Sequence, residues 1–113
     1  MGVSGGIPDP QFLYLTTIGR KTGLPRQIEI WFVRSGSCFY ILAEHFERAQ
    51  WVKNIRRNPR VRARIGEEEF EATARVLDRQ RDPDLWQTAQ RLSHDKYGWG
   101  AGLPVELSPV GLS

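Results

Sequence analysis

The apolar residues of this chain keep to one period for a few residues and then change it, and this constrains the fold more than any other feature. "QIEIWFV" (Gln27–Val33) alternates, with Ile28, Ile30 and Phe32 on one side and Gln27, Glu29, Trp31 and Val33 on the other. "RVRARIG" (Arg60–Gly66) sets Val61, Ala63 and Ile65 against three arginines, and "EEEFEATARVL" (Glu67–Leu77) continues with Phe70, Ala72, Ala74 and Val76 inward. "FLYLTTI" (Phe12–Ile18) and "CFYILAE" (Cys38–Glu44) read as strands from their aromatic and β-branched content. "RSGS" (Arg34–Ser37) is a hairpin signal. In "ERAQWVKNIRRNP" the spacing turns helical, with Trp51, Val52 and Ile55 as the stripe. Asn58-Pro59 ends that helix, because the residue before a proline avoids the helical region.

Downstream, Asp82-Pro83 pairs an N-cap residue with proline at the first helical position. The helix that follows places Leu85, Ala89 and Leu92 on one face. The tail has room for one short strand, "PVEL", and the opening "MGVSGGIPDP" reads as a flexible arm over residues 1–10. With no internal repeat and no interior linker, residues 1–113 are expected to form one domain. The expected class is mainly β (α+β): five or six short antiparallel strands closing a small barrel, one inserted helix and one C-terminal helix.

The charge balance limits the function classes. Sixteen Lys+Arg face thirteen Asp+Glu, a net +3, and thirteen of the cations are arginine. Arg60, Arg62 and Arg64 make a one-sided basic strand that could follow a phosphate backbone. However, Glu67, Glu68, Glu69 and Glu71 follow at once and would pair across the hairpin. Nucleic-acid binding is therefore the weaker reading. Cys38 is the only cysteine, so neither an intrachain disulfide nor a cysteine metal site can form, and no metal is expected. A reducing cytoplasm is the simplest location. The start lacks the features of a signal peptide, and no apolar run approaches the ~20 residues of a membrane helix.

The densest chemistry lies in "TTIGRKTGLPR" (Thr16–Arg26). Gly19 and Gly23 permit positive φ or close backbone approach, and Pro25 fixes φ. Arg20, Lys21 and Arg26 add charge around backbone N–H groups that can cradle an anion. From these residues alone a solvated hairpin, a nucleic-acid contact and a cofactor cradle all stay open.

The turn does not stand alone. "LTTIGRKTGLPR", then a strand, then "YILAE", then "WVKNIRRNPRVRARIG" resembles the deazaflavin-dependent nitroreductase family, from about Leu13 to Val76. The resemblance implies the split β-barrel of flavin-binding, pyridoxamine-phosphate-oxidase-like proteins. It also implies coenzyme F-420, a deazaflavin whose phosphate and polyglutamate tail the family's turn grips. Carried over by position, Arg20, Lys21 and Arg26 hold the tail, and Thr17 and Gly19 shape the loop. Trp31, Leu42, Ala43 and Glu44 line the ring system. Trp51 and Asn54 match the helix positions, with packing as their other role. FMN is the alternative cofactor, because the barrel is shared and the turn suits its phosphate too.

The chain also departs from the family's pattern. Glu29 stands where familiar members have proline, and "EHFE" (Glu44–Glu47) replaces a Ser-Lys-Gly-Gly-like segment. His45 thereby puts a titrating charge where the family has a lysine. The N-terminal extension of membrane-associated members has no counterpart.

The implied function is a homodimeric oxidoreductase passing a hydride from reduced F-420 to an electron-poor small molecule, a quinone, nitroaromatic or enone. The cofactor carries that chemistry, so no nucleophile–base constellation is required. Glu44, His45 and Tyr97 are the catalytic candidates, with a solvated turn and salt bridges to arginine as the duller roles for His45 and Glu44. Glu29 is weighed in the same way. His94, beside Asp95, reads as a surface residue. "KYGWG" (Lys96–Gly100) could close over the substrate side or simply cap its helix at Gly98. A cofactor carrier or sensor without turnover is the remaining alternative.

Overall fold

The structure, a computed structural model, describes residues 11–111; the arm expected at 1–10 lies outside the described residues. The elements run β1 (Phe12–Ile18), β2 (Pro25–Trp31), β3 (Val33–Ser35), β4 (Cys38–Ala43), a 3-10 turn (Phe46–Arg48), α1 (Gln50–Arg57), β5 (Arg60–Ile65), β6 (Glu68–Val76), α2 (Pro83–Tyr97) and β7 (Leu103–Pro109). The strands form one sheet in the order β2-β1-β5-β6-β7-β4-β3, each neighbouring pair antiparallel.

This order dictates the shape. β2 and β3 occupy opposite edges of the sheet, yet only Phe32 separates them in the chain. The sheet must therefore curl until its edges meet at one residue, which closes the barrel through the backbone itself. The alternating run Gln27–Val33, expected as one strand, is split here. Trp31 ends the pairing with Phe12, and Val33 begins the pairing with Tyr40. Phe32 is left without a ladder partner, and α2 supplies one. Its N–H donates to the Tyr97 hydroxyl at 3.2 Å, and its carbonyl accepts from Lys96 Nζ at 3.1 Å. The single phenolic hydrogen of Tyr97 is shared between the carbonyls of Phe32 and Gln11.

Two apolar clusters hold the fold. Leu13, Leu15, Ile41, Val61, Ala72, Val105 and Leu107 pack with Ile55 of α1. Val33, Tyr40, Leu42, Leu77 and Leu103 pack with Val52 of α1 and Trp86 and Ala89 of α2. β4 contributes Ile41 to the first cluster and Tyr40 and Leu42 to the second, which is why "CFYILA" is continuously apolar rather than alternating.

Three local expectations need correction. The buried stripe of α2 is Trp86, Ala89 and Ser93, with Leu85 and Leu92 half-buried at its margins. The large indole takes the centre, and Ser93 is spent on a 2.6 Å hydrogen bond to the Trp99 carbonyl. Asp82 occupies the N-cap position without capping. Its carboxylate instead accepts from the Asp78 N–H (3.0 Å) and Arg75 Nη1 (2.9 Å), the latter a charge-assisted bond that a helix N–H cannot match. The short strand expected at "PVEL" extends over Leu103–Pro109, because β6 and β4 pair along both its edges.

Of the four glutamates expected to pair across the hairpin, Glu69 and Glu71 do so, and Glu67 and Glu68 do not. Arg60 Nη1 lies 2.7 Å from Glu71, and Arg62 lies 3.6 Å from both Glu69 and Glu71. Exposed pairs of this kind are worth at most about 1 kcal/mol each. Their larger effect is to cancel the arginine stripe.

Candidate functional site

The basic turn is a tight structure. Gly19 N–H donates to the Leu24 carbonyl and Gly23 N–H to the Gly19 carbonyl, both at 2.8 Å. A Cβ on Gly19 would come within 2.7 Å of Thr22 Oγ1 and 3.2 Å of the Leu24 oxygen, and Gly23 has φ +72°. Gly23 thus meets a conformational demand, and a side chain at Gly19 would have to displace the Thr22 hydroxyl and press on the Leu24 carbonyl.

The turn is pinned to α1. Asn54, 4% exposed, accepts from Arg20 twice, from the main-chain N–H at 3.2 Å and from Nη1 at 3.0 Å. Its Nδ2 donates to the buried Thr17 Oγ1 at 3.1 Å, and Arg20 Nη2 donates to Gln50 Oε1 at 2.8 Å. Arg20 is therefore a strut. The side chains of Lys21 and Arg26 are exposed and form no hydrogen bond or ion pair with any described residue.

On the other side of Trp51 lies a groove of about 720 Å³. Phe12, Ile28, Glu29, Ile30 and Trp31 of β1 and the β2 edge line it with Leu42, Ala49, Trp51 and Trp99, and the exposed Glu44 and His45 form a lip. Trp31 stacks on Tyr97, ring centroids 4.5 Å apart and planes within 6°. Trp99 is set by its neighbouring glycines. A Cβ on Gly102 would lie 2.7 Å from the indole and 2.8 Å from the Ala43 oxygen, and one on Gly100 would lie 2.1 Å from the Gln90 oxygen. Gly98, at φ +79°, caps α2 as its sequence suggests.

The exposed "EHFE" segment is clamped at Glu47. Glu47 takes two hydrogen bonds from Arg56, at 2.9 and 2.8 Å. Phe46 sits at φ +52°, the only non-glycine at positive φ among the described residues. Such a conformation costs on the order of 1 kcal/mol in a residue with a Cβ. Glu44 and His45 are exposed at the lip, 3.8 Å apart.

The fold thus gathers Trp31, Leu42, Glu44, His45 and Trp51 at the groove, and Thr17, Gly19, Arg20, Lys21 and Arg26 at the turn. Ala43 is buried behind the groove rather than on its surface. Tyr97 backs Trp31 and spends its hydroxyl on main-chain carbonyls. Glu29 faces Tyr14 across the strands instead of an arginine, and its carboxylate, by hydrogen bond and charge, raises that phenol above its usual range. Sequence reasoning passed over Phe12, Ile28, Ile30 and Gln50 as site residues, whereas Trp99 belongs to the "KYGWG" segment expected either to close over the substrate side or to cap its helix.

Residues 2–107 match the model of the F420H(2)-dependent quinone reductase family. The chain belongs to this family. A member of this quinone reductase family from Mycobacterium tuberculosis (strain ATCC 25618 / H37Rv), Rv1261c, is 31% identical over 94 residues, covering 78% of this chain and 62% of that protein. The chain thus spans about three-fifths of the length of the curated relatives it matches. Among solved structures, the F420-H2 dependent reductase FDR-A superposes with a TM-score of 0.70 at 19% identity, over 91% of this chain and 98% of that one. A domain-swapped dimer superposes with a TM-score of 0.66 at 21% identity, over 92% and 84%. At such identities these neighbours establish the fold alone, and it is the split barrel that the sequence's resemblance implied. No helix among the described residues is long and apolar enough to cross a membrane.

Proposed function

We propose that this chain binds reduced coenzyme F-420, its anionic tail at the basic turn and its ring system in the adjoining groove, and reduces a quinone-type acceptor. One observation carries the reading: α1 serves both places, with Trp51 in the groove and Gln50 and Asn54 holding Arg20 of the turn. The residues present suit such a group. The groove is of cofactor size, its walls offer flat aromatic faces, and Lys21 and Arg26 are cations with open coordination.

When bound, the deazaflavin supplies the hydride. The protein's part is binding, orientation and proton supply. Lys21 and Arg26 take the tail's oxygens through charge-assisted hydrogen bonds, while Arg20 holds the turn in shape. Trp31, stiffened by Tyr97, and Trp51 and Trp99 confine the ring and keep water out. Quinone reduction needs a hydride and one proton. His45, open to solvent at the lip beside Glu44, delivers that proton and refills from bulk water. Tyr97, with its hydroxyl engaged, supports the wall and transfers nothing.

A homodimer fits the exposed apolar surface: Phe12 and Trp31 are direct cross-strand partners at 40% and 44% exposure, and Leu24 is 59% exposed. Light scattering tests it. A cytoplasmic location suits the free thiol of Cys38, and cell fractionation tests that.

The deciding experiment is a fluorescence titration with F-420 and, separately, with FMN. Binding of the deazaflavin alone, weakened in Lys21→Ala/Arg26→Ala, followed by turnover with a soluble quinone, is the expected result. Preference for FMN would replace the cofactor, and binding without turnover would make the protein a carrier. Failure to bind either one sinks the proposal.

A further inference from the structure

We propose that the mouth of the barrel away from α1 is a second small-molecule site, for an uncharged aromatic molecule carrying one hydroxyl or carbonyl oxygen. A cavity of about 760 Å³ opens where β5 turns into β6. α1 leads into the other end of β5, at Arg60, so the cavity and the helix lie at opposite mouths. The cavity shares no lining residue with the groove of Trp31 and Trp51. Its size falls within the roughly 300–1,000 Å³ of pockets that enclose small molecules. This site goes beyond the cofactor assignment and does not depend on it.

The inside of the cavity is aromatic. Phe39 meets Phe32 edge-on, with 5.8 Å between centroids, and lies 5.4 Å from Phe70, while Ile65 and Leu92 complete the wall. Such rings favour a further ring packed against a face or an edge. The rim carries both signs. Glu69 is paired with Arg62, which leaves Arg34 and Lys96 against Glu68 and Asp95. A charged ligand of either sign would meet like charge there and give up its hydration on entering, so an uncharged one fits. One part of the rim offers a polar contact. The side chains of Arg34 and Ser37 form no hydrogen bond or ion pair with a described residue, and Arg34 rests over the Phe39 ring at 5.4 Å. A hydroxyl or carbonyl oxygen on the ligand accepts from them. Lys96 is engaged with Phe32, donating to its carbonyl and lying 4.4 Å from its ring centroid. Phe32 also adjoins Trp31 in the chain, so an occupant sits one residue from the groove wall.

The test is a titration of the full-length, nitrogen-15-labelled protein with 2-naphthol, followed by amide and indole NMR shifts. Saturable shifts should appear at Phe32, Phe39, Ile65 and Phe70, with a Kd below about 1 mM, while the Trp51 and Trp99 indoles of the groove stay in place. The anionic 2-naphthoate and the cationic 2-naphthylmethylammonium should each bind roughly tenfold more weakly. Ile65→Trp fills the mouth and should abolish the shifts, with a thermal melt to confirm folding. Arg34→Ala/Ser37→Ala alters exposed side chains only and should weaken 2-naphthol severalfold, so the contact is tested even if Ile65→Trp fails to fold. Shifts at Trp51 and Trp99 without shifts at Phe39 and Phe70 would move the ligand to the groove and overturn the inference. No saturable shift, or equal affinity for all three naphthalenes, overturns it too. The F-420 titration is independent of each of these outcomes.

Discussion

The indole of Trp31 lies flat on the ring of Tyr97, 4.5 Å between centroids, and the Tyr97 hydroxyl reaches the backbone of Phe32, the residue next to Trp31. One side chain of α2 thus braces both the groove wall and the point where the sheet closes. The two duties separate by mutation. Tyr97→Phe keeps the stack and loses the hydrogen bonds, so stability should fall by about 1–2 kcal/mol with little change in cofactor affinity. Tyr97→Ala removes the stack as well and should weaken binding severalfold. Denaturant melts and fluorescence titration read the two effects.

The Asn54 amide is the joint between turn and helix. Asn54→Ala strands the buried Thr17 hydroxyl and frees Arg20, at a cost of about 1–3 kcal/mol, and should weaken F-420 binding about tenfold. Asn54→Asp keeps the acceptors that hold Arg20 and should retain more of the affinity than of the stability. Comparable binding losses in both variants would make Asn54 a packing residue only.

A single network should set both pH limits of stability. Tyr40 donates to Glu106 Oε2 at 2.8 Å, Arg75 reaches Glu106 and Asp82, and Asp82 also accepts from the Asp78 N–H. Burial, with the hydrogen bond to Glu106, holds the Tyr40 phenol well above its ordinary value. Its contribution is complete below about pH 10 and is lost as pH climbs through the raised folded value. Asp82 behaves in the opposite sense, lowered first by the Asp78 N–H and then by Arg75. Its contribution is present above about pH 4 and disappears as pH falls through the depressed folded value. Tyr40→Phe should flatten the alkaline limb of a stability profile and Asp82→Asn the acid limb, each leaving the other limb in place.

Phe46 offers a gain. At φ +52° glycine is unstrained, so Phe46→Gly should raise stability by up to about 1 kcal/mol despite the added unfolded-state freedom. A lowered melting temperature would show that the phenylalanine ring contributes more to packing than its backbone conformation costs.

Much of this was legible in the sequence. β2, β5 and β6 followed from alternation, β1 and β4 from aromatic and β-branched content, α1 from its change of period, and the tight turn before β2 from residues whose restrictions are local, two glycines and a proline. What escaped was long-range. Alternation runs through Phe32 without interruption, and nothing in "IWFVR" says that Trp31 and Val33 pair with strands at opposite ends of a sheet. Tyr97 could not be separated from a proton donor until Phe32 was seen to need its hydroxyl. Arg20 read as a ligand contact because its partners, Gln50 and Asn54, are thirty and thirty-four residues away. Asp82 fits a capping motif locally, but Arg75 competes for the same carboxylate.

The junction at Phe32 has one more consequence. Strand ends are usually free to fray, lengthen or recruit a neighbour, and families diverge by adding residues there. Here both borders of the sheet belong to one length of backbone, so an insertion or deletion beside Phe32 would turn every side chain of one border inside out while the other stayed put. Divergence can enlarge the hairpins and reshape the lip around Phe46, but the residue count from Pro25 to Ser35 behaves as a fixed circumference.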